Sequence, residues 1–348
     1  MSQSSRTSRL GLYIPFALAG LVIVLHAAYW FFVSGQIRAG AESWIEEQRE
    51  AGYTIVHEGL GVGGYPFRFT VRLDQPGIEA PLQDGGWSVD LERLAGSAQF
   101  YNLNHWVLTP VGPAIVEVPD TSEPLRLRLE TEAARLSIRS SGGATTRLGA
   151  SLTALDIVSE SGPRPSVQRI DQLDVSGLVT DEDVLFAALM GEGIVLAEGE
   201  LDPEISGTFG ETIDRVQLNA SMSAFGALIQ SGDPANWRQA GGAINIEGAG
   251  LVWGPADLFG DGELSLDDNL MAEGRLSIGV IDPETLITAL VDGALVQENQ
   301  GEALRLAALM APRREGRITL PLHLRDGGVY FGPARLGSFA TSAPGEAE

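Results

Sequence analysis

From residue 53 onward, apolar side chains recur at every second position, a period that fits strands with one face buried and the other wet. Phe67-Arg68-Phe69-Thr70-Val71-Arg72-Leu73-Asp74 alternates without a break. The same pattern returns in Leu125–Glu130, Ala243–Glu247, Gly262–Asp267 and Arg275–Ile278. It returns again in Ile318–Leu324, where Pro321 points to an edge or a bulge. Between the runs stand Glu247-Gly248-Ala249-Gly250, Gly260-Asp261-Gly262, Asp267-Asp268-Asn269 and Asp326-Gly327-Gly328, which supply the positive φ that hairpins require. The expected fold is mainly β. It is a long antiparallel meander, a curved sheet forming an open groove or a closed sandwich, with a few short helices.

One N-terminal transmembrane helix precedes it. Residues 11–33 carry no formally charged side chain. At 1.5 Å per residue this run reaches roughly 35 Å, enough for a hydrocarbon core of about 30 Å. A cleaved secretory signal has an apolar region of only about 7–15 residues, and no clean small-x-small site follows this one. Arg6 and Arg9 precede the run, Arg38 alone follows closely, and then come Glu42, Glu46, Glu47 and Glu50. The positive-inside rule therefore leaves a short cytoplasmic tail, 1–10, and sends the bulk of the chain outside. All 23 basic residues are Arg, which points to a GC-rich bacterial genome. The location is then a bacterial inner membrane, N-terminus cytoplasmic, with the bulk periplasmic.

Residues 34–52 read as a juxtamembrane helix, with Ile37, Ala41, Trp44, Ile45 and Gln48 at spacings of three and four. It is expected to lay Trp44 and Ile45 on the first strands and to end at Gly52. Residues 53–338 form the β-rich domain, and 339–348 a flexible tail. Three further helices are expected. The first is Val184–Met190, capped by Thr180 with Asp181, Glu182 and Asp183 in its first turn; the others are Asp282–Leu290 and Ala303–Met310.

The chemistry is mostly one of exclusion. Forty-six acids against 23 arginines give a net charge of −23, opposite to the basic footprint of a nucleic-acid binder. Absence of Cys removes thiolate metal sites, disulfides and cysteine nucleophiles, and the four His are scattered. Gly59-Leu60-Gly61-Val62-Gly63-Gly64 satisfies G-x-G-x-x-G, but a strand follows it where a dinucleotide site needs a helix. His57 and His105 read as makers of structural hydrogen bonds. Trp87, Trp237 and Trp253 read as hairpin anchors before sugar clamps. No constellation supports an enzyme, and no cofactor or metal is implied.

Gly64-Tyr65-Pro66-Phe67-Arg68 resembles the opening motif of the bacterial family called domain of unknown function 2125. Leu251-Val252-Trp253-Gly254-Pro255 and Leu320-Pro321-Leu322-His323-Leu324-Arg325-Asp326-Gly327-Gly328-Val329-Tyr330-Phe331-Gly332-Pro333 extend the resemblance. It implies an envelope protein and offers no catalytic residue. More remotely, one transmembrane helix before a β meander is similar in outline to AsmA-like proteins, which implies phospholipid handling by a sheet with an apolar inner surface.

The expected function is thus a non-enzymatic, membrane-anchored periplasmic protein that binds lipid acyl chains or supports envelope maintenance. The alternatives are a structural adaptor for another envelope protein and a glycan-binding protein. Leu127, Ile246, Leu264, Leu266, Leu276 and Ile278 are the candidate groove lining.

Overall fold

The computed structural model describes residues 10–119, 123–142, 144–314, 317–331 and 334–338. The expected N-terminal tail with Arg6 and Arg9, the tail 339–348, and Gly332 and Pro333 lie outside the described residues. The chain is mainly β, and it divides into two units, residues 1–121 and 122–348.

In the first unit, α1 (Leu10–Glu50) runs unbroken through the expected transmembrane and juxtamembrane segments. It is long and apolar enough to cross a membrane, and the large apolar side chains from Tyr13 to Leu25 are all more than half exposed. The helix stops where expected. Tyr53 N–H donates to the Gln48 carbonyl at 3.0 Å and Gly52 N–H to that of Arg49 at 3.0 Å, with Gly52 at φ 97°. This paired closure satisfies carbonyls that the helix leaves open, and the left-handed position suits glycine.

Six strands follow: β1 (Thr54–Val56), β2 (Gly59–Gly63), β3 (Arg68–Asp74), β4 (Gly77–Glu79), β5 (Ser88–Gln99) and β6 (Asn102–Val118). They pair antiparallel in the order β2–β3–β5–β6, with β4 joining β1 to β5. Ile55, Leu60, Phe69, Ala80 and Ala98 are buried, and α1 contributes Trp30 and Ile45 to the core. The Trp30 ring stacks on Phe69 at 5.3 Å and 13°, and its Nε1 donates to the Arg68 carbonyl at 3.1 Å. Near the far end of the helix, Arg49 donates to the Ile55 carbonyl.

Two expectations fail here. Trp44 is 51% exposed, because Ile45 takes the inward position and its neighbour lies about 100° around the helix. Phe67 is 72% exposed: it belongs to the turn at residues 65–67, and the alternation begins only at Arg68, where the strand does.

The second unit carries β7 (Leu125–Glu130), β8 (Ala133–Ser141), β9 (Ala144–Ser161), β10 (Val167–Val179), β11 (Leu185–Leu196) and β12 (Thr212–Met222). Then come β13 (Ile244–Trp253), β14 (Ala256–Leu266), β15 (Ala272–Val280), β16 (Arg313–Arg314), β17 (Arg317–Arg325), β18 (Gly328–Phe331) and β19 (Ala334–Ser338). β7 and β8 both pair with β9, and the order continues β10–β11–β12–β13–β14–β15–β17, all antiparallel. β16 and β18 share the other edge of β17, and β19 joins β18. Pro321 faces Ser277 of β15. On its other side it falls in the gap between the β16 and β18 pairings, where no N–H is called on.

The helices are α2 (Pro203–Phe209), α3 (Phe225–Ser231), α4 (Pro234–Gln239), α5 (Pro283–Asp292) and α6 (Glu298–Met310). The last two match the expected helices. Asp282 caps α5 by accepting from Thr285 N–H at 3.1 Å, with Pro283 in the first turn. The expected helix at Val184–Met190 is instead the start of β11. Thr180–Val184 makes the β10–β11 hairpin turn, with Thr180 N–H on the Val184 carbonyl and Asp183 at φ 60°. A short apolar run reads equally as helix or buried strand. Pairing with β10 and β12 on both edges decides it.

Candidate functional site

The register of the second unit aligns its apolar residues into rows that cross nine strands. Leu136, Ala150, Val175, Leu189, Leu218, Ala249, Gly260, Ile278 and Leu320 are successive partners from β8 to β17. One row over run Ile138, Leu148, Gly177, Ala187, Ala220, Ile246, Gly262, Leu276 and Leu322. On the other side run Ala134, Leu152, Leu173, Gly191, Val216, Leu251, Leu258, Val280 and Ile318. Directly paired residues, and residues two apart along a strand, share a face. These rows therefore lie on one face, and they contain only Ala, Gly, Val, Leu and Ile. At 4.7–4.9 Å between strands, nine strands give roughly 38 Å along the rows, and three rows about 14 Å across.

The opposite face is mixed, carrying most of the charged side chains together with Phe186, Met190 and Phe259. Between the rows stand Arg135, Ser151, Asp174, Met190 and Gln217, and further along Asn245, Glu263, Arg275 and His323.

The apolar face is incompletely covered. Leu136, Leu148, Val175 and Leu218 are 37%, 52%, 40% and 37% exposed, and most of the other positions are half-buried. A two-layer core would bury them. Among the helices α3 packs on α4, α2 on α5 and α5 on α6, and Phe209 of α2 packs on Trp253 of β13 at 4.9 Å.

Of the six candidate lining residues, Ile246, Leu276 and Ile278 fall within these rows. Leu264, paired with Ile244 and Gly274, and Leu266, paired with Ala272, extend the same face along β14. Leu127 stands apart, on β7 opposite Ser159. Sequence reasoning missed the share of β8 to β12, including Leu148, Val175 and Leu218. The signal was present as alternation in Leu148–Leu152 and Leu173–Gly177, but Ala, Gly and Ser on both faces blunt its contrast.

The family motif lies elsewhere, in the first unit. Gly64 has φ 100°, and a Cβ there would stand 2.7 Å from the Arg68 carbonyl oxygen, so the turn needs glycine. Tyr65 and Pro66 meet α1: Pro66 O is 2.8 Å from His26 Nε2, and the Tyr65 ring is 5.5 Å from that of Trp30.

At β7, β9 and β10 the charged groups pair with each other. Glu160 accepts from Arg126 at 2.9 Å and Arg128 at 2.7 Å, and these bonds hold its carboxyl below the ordinary value of 4.5. Asp156 accepts from Arg169 at 3.0 Å. Trp237 and Trp253 donate to the carbonyls of Ser223 and Gly210, and Trp87 sits near Tyr53. His57 Nδ1 is buried without a hydrogen-bond partner, against expectation, and nothing in the structure explains it. Among the described residues no group of three or more His, Asp or Glu could hold a metal ion.

One helix able to cross a membrane and an antiparallel sheet with one aliphatic face define a class of membrane-associating β protein. Residues 30–340 match the model of a family described as an uncharacterized protein conserved in bacteria (DUF2125), and the chain belongs to that family. Neither a curated protein nor a solved structure matches it, so the likeness to AsmA-like proteins rests on outline alone.

Proposed function

We propose that α1 anchors the protein in a bacterial inner membrane, with the sheets on the periplasmic side, and that the apolar face of the second unit holds lipid acyl chains in support of envelope maintenance. The observation that carries this reading is the composition and exposure of the rows. They carry no polar side chain at any position, yet five of their residues, Leu136, Leu148, Val175, Ala187 and Leu218, are more than one-third exposed. Soluble proteins rarely leave a contiguous apolar patch beyond a few hundred Å² uncovered, so such a face calls for an occupant. An acyl chain reaches about half a hydrocarbon core, some 15 Å. A row of roughly 38 Å offers it continuous dispersion contact without a polar interruption.

The adaptor reading is weaker. Protein interfaces centre on Trp, Tyr and Arg anchors, and the three rows contain none. A glycan site would want aromatic stacking faces, and Trp237 is buried while bonded to backbone.

Native mass spectrometry of the detergent-extracted full-length protein, with lipid extraction of what co-purifies, tests the proposal. Masses of bound diacyl lipid are expected. Lipid-free protein carrying a stoichiometric protein partner would replace this reading with the adaptor.

A further inference from the structure

We infer that the turn at Tyr65–Phe67 and the β5–β6 hairpin at Phe100–Tyr101 form an aromatic collar that sits in the membrane interface around the middle of α1, where its membrane-crossing part ends. The inference rests on the anchor reading and adds a second lipid contact, in the first unit, separate from the apolar face.

Length carries the first part of the argument. Arg9 bounds the uncharged stretch, and contacts with the sheet begin at His26. The free helix from Leu10 to Leu25 reaches only about 24 Å at 1.5 Å per residue, short of a hydrocarbon core of about 30 Å. The helix must use the turns from His26 to Phe32 as well to complete the crossing. Those turns are the ones the sheet grips. His26 packs edge-on against Phe100 at 5.3 Å, Phe31 stacks on Tyr65 at 6.0 Å, and Tyr29 Oη donates to the Phe100 carbonyl at 3.5 Å. Whatever depth that part of α1 takes, the two loops share it.

Side-chain chemistry agrees. At this level Tyr65, Phe67 and Tyr101 are 45%, 72% and 75% exposed, beside Phe31 and Phe32 at 65% and 68%. Large rings left in water are disfavoured, whereas Tyr and Trp favour the headgroup zone. Charge agrees independently. The chain has 46 acids, but segments 59–73 and 94–116, which hold both loops, contain none. Arg68 and Arg72 are their only formal charges, and that sign suits an anionic headgroup layer.

Because the chain has no cysteine, single Cys variants report depth directly. Phe67→Cys, Tyr101→Cys, Leu82→Cys and Val24→Cys of the full-length protein would be labelled with a fluorophore in vesicles of phosphatidylethanolamine and phosphatidylglycerol containing brominated lipid. Leu82 is 87% exposed and lies next to Pro81, which stands beside Gly52 past the far end of α1. All four side chains are exposed, so the fold tolerates the labels. Fluorescence at 67 and 101 is expected to be quenched by the brominated lipid, as at 24, while 82 keeps its full signal. Unquenched 67 and 101 with a quenched 24 would overturn the collar and leave the anchor standing. An unquenched 24 would overturn both.

Discussion

Among the described residues Phe69 is the one large side chain with no accessible surface, and it is the point where α1 locks onto the sheet. Phe69→Ala removes the whole ring from beneath Trp30. A buried Phe→Ala change costs about 3–5 kcal/mol, because transfer free energy and a residual cavity add. The stacked pair at 5.3 Å contributes roughly 0.5–1.5 kcal/mol of that total beyond burial. The midpoint of thermal unfolding should therefore fall by roughly 10–15 °C, taking about 3 °C per kcal/mol for a unit of this size. Thr70 points to the other face of the same strand and is only half-buried, so Thr70→Ala should shift the midpoint by a degree or two. The assay is circular dichroism melting of the detergent-solubilised full chain, extended to a double-mutant cycle of Trp30→Leu with Phe69→Leu. A coupling energy of about 1 kcal/mol is expected. Equal sensitivity at positions 69 and 70, or zero coupling between 30 and 69, would refute the packing argument.

Other consequences are open to measurement. Leu266→Glu on the apolar face should leave a cooperative melt, since an incompletely covered wall lets the carboxylate reach water; in a dry two-layer core the same change buries an unpaired charge and abolishes the transition. Glu160, held below 4.5 by Arg126 and Arg128, contributes stability that is present above that value and lost as pH falls through its lower folded value. Melting curves between about pH 5 and pH 3 should therefore drop less steeply for Glu160→Gln than for the parent chain. An equal slope would remove the ion-pair account. A C-terminal reporter that works only outside the cytoplasm should be active, with the protein at full length in the membrane fraction; a shortened soluble form would mark residues 11–33 as a cleaved signal.

What the sequence made legible was the set of elements whose neighbours do not change their meaning. The alternation from Arg68 to Asp74, the hairpins at Asp267 and Asp326, the helix cap at Asp282 and the stop at Gly52 all follow from local rules, and each appears as expected. The glycine clusters at 247–250 and 260–262 are not turns: they lie inside β13 and β14 without positive φ, and the hairpin between those strands turns at Gly254 instead. The failures are positions where tertiary pairing decides. Val184–Met190 could satisfy its backbone as helix or strand, and β10 and β12 offered two ready edges. Phe67 continues the alternation in sequence, but the turn ends before the ladder begins, and its ring is left outside. The candidate face was half visible: five residues on β13–β15 fell together because strict alternation marks those strands. Leu148, Val175 and Leu218 required the register of strands whose outer faces carry Gly, Ala and Ser.

Adjacent residues on β10 offer the most direct test of the apolar face. Val175 and Ser176 are both exposed and point to opposite faces, so Val175→Glu and Ser176→Glu add the same charge one position apart. Lipid co-purifying with each full-length variant would be quantified per mole of protein after the same detergent extraction. The account predicts that Val175→Glu strips the bound lipid while Ser176→Glu retains the parent level. Equal retention by both variants, or equal loss, would contradict it.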